Sequence, residues 1–178
     1  EEFSKKGGIF QMVQLWVNLP AKDKMSSPKY QGIQKSDLQQ FVLPNDTGVI
    51  EIIAGTYQDK KGSASTFSPI EMYNARLNNG AKANFSFPAN YNTGMVVIEG
   101  KIKVNGNEIA NTDQFIHFKN EGEEIEIEAL GDSVILILSG EPINEPITAY
   151  GPFLMNTGEE IQQALADYKE GKFGYLEE

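Results

Sequence analysis

The sequence contains no cysteine, which excludes disulfides and thiolate chemistry. Histidine and arginine occur once each, as His117 and Arg76, in a chain of 178 residues. A mononuclear redox-metal site ordinarily draws on two or more imidazoles. The single one here, inside Phe115-Ile116-His117-Phe118, therefore reads as structural or solvent-facing. Long apolar runs are also missing. The longest, Val134–Leu138, has five residues, against the ~18–20 needed to cross a bilayer, and no signal-peptide pattern opens the chain. There is no Gly-x-Ser-x-Gly elbow, no Gly-rich phosphate loop and no Asp/Asn-rich calcium loop. Basic residues are few: 15 against 25 acidic ones leave a net charge of −10. Such a surface repels phosphate backbones, so direct nucleic-acid binding is not expected. A cytoplasmic protein is the expectation from this composition.

What is present is an apolar fraction of 40%, enough for a packed core. The first strand expected is Ile9–Leu19, with Val13, Leu15, Val17 and Leu19 on one face and Phe10, Met12 and Trp16 on the other. A strand apolar on both faces needs neighbours. None precedes it and there is no initiator Met, so a further N-terminal segment is expected. Pro20 to Gln40 is polar and turn-rich, Val49–Ala54 reads as a strand, and Asp59–Ser65 is small, polar and aperiodic, a linker.

Beyond it the pattern becomes one of short strands: Ile70–Leu77, Lys82–Phe87, Met95–Glu99, Lys101–Val104, Glu108–Ala110, Gln114–Phe118, Glu124–Ala129 and Val134–Leu138. Asn105-Gly106 is the type I′ hairpin dipeptide, both positions requiring positive φ. Eight short antiparallel strands point to an all-β sandwich or jelly roll. Glu123, Glu124, Glu126 and Glu128 resemble a carboxylate cluster. The last three alternate with Ile125, Ile127 and Ala129, however, which places them on one solvated face of a strand. The only long helix expected opens at Thr157, with Glu160 completing a capping box and Gly171 as its stop. Ile161, Ala164, Leu165 and Tyr168 form its apolar stripe.

Two blocks of sequence are specific enough to carry a resemblance. The first is Gln14-Leu-Trp-Val-Asn-Leu-Pro20 with Ala21-Lys-Asp-Lys-Met25 and Pro28-Lys-Tyr-Gln31. The second is Gly140-Glu-Pro-Ile143, Glu145-Pro146, Gly151-Pro-Phe-Leu-Met-Asn-Thr157 and Glu159-Glu-Ile161. In these blocks, and in their order, the chain resembles the pirin family. The resemblance implies cupin jelly-roll barrels in tandem, a bicupin, with a C-terminal α-helix. Residues 1–58 would then be the second half of an incomplete N-terminal cupin, 59–65 a linker, 66–157 the C-terminal cupin, and 158–178 the helix and tail.

The same resemblance implies function in the parent protein. Family members hold one non-haem metal, Fe(II) or another divalent ion, in the N-terminal cupin with three histidines and a glutamate, an arrangement that leaves coordination positions open. Some are similar to quercetin 2,3-dioxygenases, which act on flavonol-like aromatics. Others are metal-dependent redox-sensing proteins that bind a transcription factor or a metabolic enzyme. The histidine ligands would precede residue 1, so no catalytic, cofactor-binding or metal residue is assigned to this chain, and no cofactor is expected in it. Glu1 or Glu2 is either the family's glutamate ligand or part of a spacer after it, and the spacer reading is preferred. In the second barrel Gly80 and Gly100 fit the cupin frame, Ser86 and Pro88 stand at the histidine positions, and Asn92 and Thr93 stand where the acid belongs. A chain cut in this way is expected to leave residues 1–58 loosely ordered or self-associated.

Overall fold

The computed structural model describes residues 2–8 and 10–174. A short helix α1 (Glu2–Lys6) opens the chain. Fourteen strands follow among the described residues: β1 (Gln39–Val42), β2 (Gly48–Ala54), β3 (Thr56–Tyr57), β4 (Lys60–Lys61), β5 (Ile70–Leu77), β6 (Lys82–Ser86), β7 (Asn92–Glu99), β8 (Lys101–Val104), β9 (Glu108–Asn111), β10 (Phe115–His117), β11 (Glu124–Ala129), β12 (Ser133–Gly140), β13 (Thr148–Tyr150) and β14 (Phe153–Met155), before helix α2 (Gly158–Lys169). A six-stranded sheet in the order β1-β2-β5-β12-β7-β10 faces a four-stranded sheet in the order β6-β11-β8-β9, and every pairing in them is antiparallel. This is the jelly-roll arrangement expected of a cupin.

Period-two alternation makes the core. Ile50, Ile52, Tyr73, Ala75, Leu77, Met95, Val97, Ile135 and Ile137 project inward from the larger sheet, and Ala83, Phe85, Ile102, Val104, Ile125 and Ile127 from the smaller one. Each large side chain so buried stabilises the fold by roughly 1.5–3 kcal/mol. Strands β5, β8 and β11 run over the residues expected from the pattern. The hairpin turn after β8 has φ of +49° at Asn105 and +80° at Gly106, as a type I′ turn demands.

The sequence-based division of the chain is corrected by the pairing. Strand β2 bonds to β5 from Gly48↔Leu77 to Ala54↔Met72. Residues 39–54 thus belong to the same barrel as residues 66–140. The stretch 59–65 is no linker either. It supplies β4, which pairs with β3, and folds back on the end of β2 through Gly62 N–H to the Gly55 carbonyl and Ala64 N–H to the Ile53 carbonyl, both 2.8 Å. A Cβ on Gly62 would lie 2.6 Å from the Ala54 backbone, so only glycine allows this approach. Strand β1 begins in the last two residues of the turn-rich stretch 20–40 and runs past it, with Phe41 packed on the core while Gln39 and Gln40 face water.

The Ile9–Leu19 strand is a second correction. Ile9 lies outside the described residues, and residues 10–19 form no strand. Alternation supplies a face but not a partner, and among the described residues no strand is laddered to this segment. Phe10 is 72% and Trp16 74% exposed. The segment runs over the outer face of the larger sheet, tied there by Gln11 Nε2 donating to Glu99 Oε1 at 3.1 Å.

Helix α2 starts as its capping box dictates. Glu160 N–H donates to Thr157 Oγ1 at 3.2 Å, and Thr157 N–H donates to Glu160 Oε2 at 2.9 Å. Ile161 is buried and Ala164 and Leu165 are half-buried, while Tyr168 stays largely exposed, contrary to the expected stripe. Its ring lies against Phe153 and Phe173 instead. The hairpin β13–β14, which packs on this helix, carries no period-two signal and was not expected. The tail 175–178 lies outside the described residues.

Candidate functional site

The place where a cupin barrel would hold its metal is the inward face of β6 and the residues opposite it. In this barrel that face is aromatic. Phe85 and Phe87 stack with parallel rings 6.4 Å apart, and Tyr73 lies 6.1 Å from both. Tyr57 closes the group, edge-on to Tyr73 at 5.5 Å and to Phe41 at 5.3 Å. Aromatic pairs of this kind add about 0.5–1.5 kcal/mol beyond the burial of their area.

The polar tips of this group are all engaged. Tyr57 donates to the Asn84 carbonyl at 2.9 Å. The Tyr73 hydroxyl meets the Thr56 carbonyl at 2.8 Å and the Glu71 carboxylate, which also accepts from Thr56 N–H at 2.7 Å. Gly55 makes this possible. It sits at φ +80°, and a Cβ there would fall on the Glu71 carboxylate. Burial pushes the Tyr73 phenol far up from its ordinary value, and the adjacent Glu71 pushes it further. Burial raises Tyr57 as well. Both phenols are therefore hydrogen-bond donors at neutral pH, and neither is a base or nucleophile. A cavity of about 160 Å³ remains at this end of the barrel, between Tyr57, Tyr73, Phe85 and Glu124.

The frame Gly80 to Gly100 is present, but its register differs from the sequence-based assignment. Ser86 and Pro88 are exposed, whereas Phe85 and Phe87 are buried. Alternation along β6 turns Ala83, Phe85 and Phe87 inward, so a side chain at 86 or 88 faces solvent. Asn92 is exposed too. Thr93 is buried, its hydroxyl 2.7 Å from that of Ser139. His117 lies on the outer face of β10, exposed, with Ile116 turned to the core. Among the described residues, no three His, Cys, Asp or Glu side chains converge as a metal-binding group. The inward side chains here, Phe85 and Phe87, offer no donor atom to a metal, so the residues present do not fit the family's metal. Glu1 lies outside the described residues, and the structure does not describe the side chain of Glu2.

The carboxylate row on β11 is not uniform. Glu124 and Glu126 are exposed as expected, but Glu128 is half-buried and accepts from Lys103 Nζ at 2.8 Å across the β11–β8 pair. That bond lowers the Glu128 carboxyl below its usual value. A buried acid that the sequence reading missed is Glu51 on β2, 5% exposed on the outer face of the sheet. Its carboxylate accepts from Asn74 Nδ2 at 2.6 Å and Gln40 Nε2 at 3.4 Å, with Lys35 and Arg76 within 4 Å. One charged residue inside Val-Ile-Glu-Ile-Ile-Ala was the available signal.

Hollows also lie outside the barrel. One, of about 570 Å³, separates Leu15–Asn18 from Met72 and Leu138 on the outer sheet face and from Ile147 beyond it. Another, of about 410 Å³, lies between Lys24–Met25, β14 and α2. No helix among the described residues is long and apolar enough to cross a membrane.

Comparison with known proteins agrees with this architecture. The profile of the Pirin C-terminal cupin domain matches residues 72–174. A Pseudomonas aeruginosa protein named "Putative quercetin 2,3-dioxygenase" is 40% identical over 173 residues, 97% of this chain and 60% of its own length. Human Pirin is 30% identical over 168 residues, 92% of this chain and 57% of its own. A crystal structure of quercetin 2,3-dioxygenase from Acinetobacter baumannii superposes with a TM-score of 0.93 at 41% identity, covering 99% of this chain and 61% of that one. The chain thus spans about 60% of the length of the relatives it matches. With its two-sheet barrel, its capped terminal helix and these matches, the chain belongs to the pirin family of cupin proteins.

Proposed function

We propose that the whole protein is a non-haem metalloprotein with quercetin 2,3-dioxygenase-like activity on a flavonol-like aromatic, and that this chain contributes its metal-free barrel. The observation that carries the reading is the likeness at 41% identity to a structure titled quercetin 2,3-dioxygenase, of which this chain covers 61%. The metal, Fe(II) or another divalent ion, would be held by residues outside this chain, and no step of the reaction is assigned to the residues described above. Within this proposal the second barrel is a rigid support. Its interior, lined by Phe85, Phe87 and Tyr73, presents aromatic rings rather than metal donors, which supports that role. A cytoplasmic setting, suggested by the cysteine-free composition, belongs to the same proposal.

One observation favours a second reading, a metal-dependent, redox-sensing protein that binds a transcription factor or a metabolic enzyme. Phe10, Met12, Trp16 and Val17 form a run of exposed apolar side chains of the kind that marks protein contacts. Metal analysis combined with oxygen uptake separates the two. Full-length protein with about one metal per chain should consume O₂ in the presence of quercetin and stop after chelation, while the 178-residue chain does neither. Metal-loaded full-length protein that leaves quercetin and O₂ untouched would point to the binding role. Stoichiometric metal on the 178-residue chain, lost in His117→Ala, would overturn the assignment of this barrel.

A further inference from the structure

The cleft of about 410 Å³ between residues 24–25, β14 and α2 has a volume within the ~300–1,000 Å³ range of small-molecule sites. Two blocks of sequence some 130 residues apart, 21–25 and 151–157, converge on it. Its walls are mainly apolar, formed by Met25, Phe153, Met155, Ala164 and Phe173. A few polar groups interrupt them, as is usual where a ligand is oriented as well as buried.

The charges around the cleft are unevenly matched. Its two carboxylates are committed. Glu160 Oε2 accepts from the N–H groups of Asn156 and Thr157, both at 2.9 Å. Asp167 Oδ1 accepts from Gln163 Nε2 at 2.8 Å and Lys172 Nζ at 2.7 Å. Lys24 is different. It is half-buried, and its ammonium donates only to neutral oxygens, Asn18 Oδ1 at 2.6 Å and the Leu154 carbonyl at 3.4 Å. No described carboxylate forms an ion pair with it. An ammonium carries three N–H donors, so one is left over. An anion arriving beside it would take the remaining N–H in a charge-assisted hydrogen bond.

We propose that this cleft is a binding site for a small amphiphilic organic acid, with the carboxylate on Lys24 and the ring or chain against Met25, Phe153 and Ala164. The site is independent of the metal chemistry proposed above, because none of its residues lies in the barrel interior.

The test is calorimetric titration of the chain with 1-naphthoate, alongside 1-naphthylmethylammonium as the cationic analogue. Saturable one-to-one binding of naphthoate is expected, at least about tenfold tighter than the ammonium, since a hydrogen bond to a charged group is worth roughly 1.5–3 kcal/mol. Lys24→Met should weaken naphthoate about tenfold or more, and Ala164→Trp should abolish binding by filling the cleft. Methyl NMR on the unsubstituted chain keeps the test decisive if a variant unfolds, because the resonances of Met25 and Met155 should move and that of Met95 in the barrel core should not. No saturable binding, unchanged affinity in folded Lys24→Met, preference for the ammonium, or shifts confined to other methyls would each overturn the proposal.

Discussion

Residues 10–38 and residues 39–140 are similarly rich in apolar side chains, yet only the second region forms a barrel. In the barrel, alternation is answered by a neighbour. Ile52 on β2 faces Tyr73 on β5, and Tyr73 faces Ile137 on β12, so each inward residue is both hydrogen-bonded along its backbone and packed. In the first region residues 10–19 join no sheet among the described residues, and Phe10, Met12 and Trp16 are largely exposed. That region is held by single side chains doing what a strand would do. Gln31 is the clearest case: its amide accepts from Ser65 N–H at 2.8 Å and donates to the Ser65 carbonyl at 3.0 Å, a two-pronged bond like that of a paired strand residue. An apolar face thus makes a strand available to a sheet, and the partner decides whether the sheet forms.

The sharpest way to break this contrast is to truncate one aromatic in each region. Phe85→Ala, at the centre of the stacked group, should cost roughly 3–5 kcal/mol by denaturant unfolding. Trp16→Ala should stay within about ±0.5 kcal/mol in the same chain. Equal losses would mean that the segment 10–19 is packed in solution. Hydrogen exchange sharpens the boundary itself. Amides of β2 should share the strong protection of β5 and β12, while residues 10–20 exchange almost freely. A protection boundary near residue 60 rather than 39 would restore the two-unit division read from the sequence. The smallest effect belongs to Gln31→Ala. With both bonds exposed, about 1 kcal/mol or less is expected, visible as faster proteolysis between residues 24 and 34 with little change in the melting of the barrel.

Much of the barrel was legible because its strands are short, β-branched and strictly alternating, as in Glu124–Ala129, and because Asn105-Gly106 fixes a turn locally. The helix start was legible for the same reason, since Thr157 and Glu160 satisfy each other within one turn. What escaped depends on pairing at a distance. Nothing local in Val49–Ala54 says that it joins β5 rather than a preceding barrel, and nothing in Asp59–Ser65 says that it folds back on β2. The ligand positions were misplaced for a different reason. Counting from Gly80 led to Ser86 and Pro88, although the alternation of Ala83, Phe85 and Phe87, visible in the sequence, already turned those two outward. Glu51 was passed over because burial of a carboxylate on a sheet's outer face depends on Asn74, Gln40 and Arg76 arriving from two other strands.

Trp16 is the only tryptophan, and it stands on the segment without a ladder. Its fluorescence therefore reports on that segment alone. Emission should already be red-shifted and readily quenched by iodide or acrylamide in the native chain, and it should change little when the barrel unfolds. Unfolding of the barrel must be followed by circular dichroism or by the buried tyrosines. Any blue shift of Trp16 is then a direct optical signal that something has covered the outer face of the larger sheet.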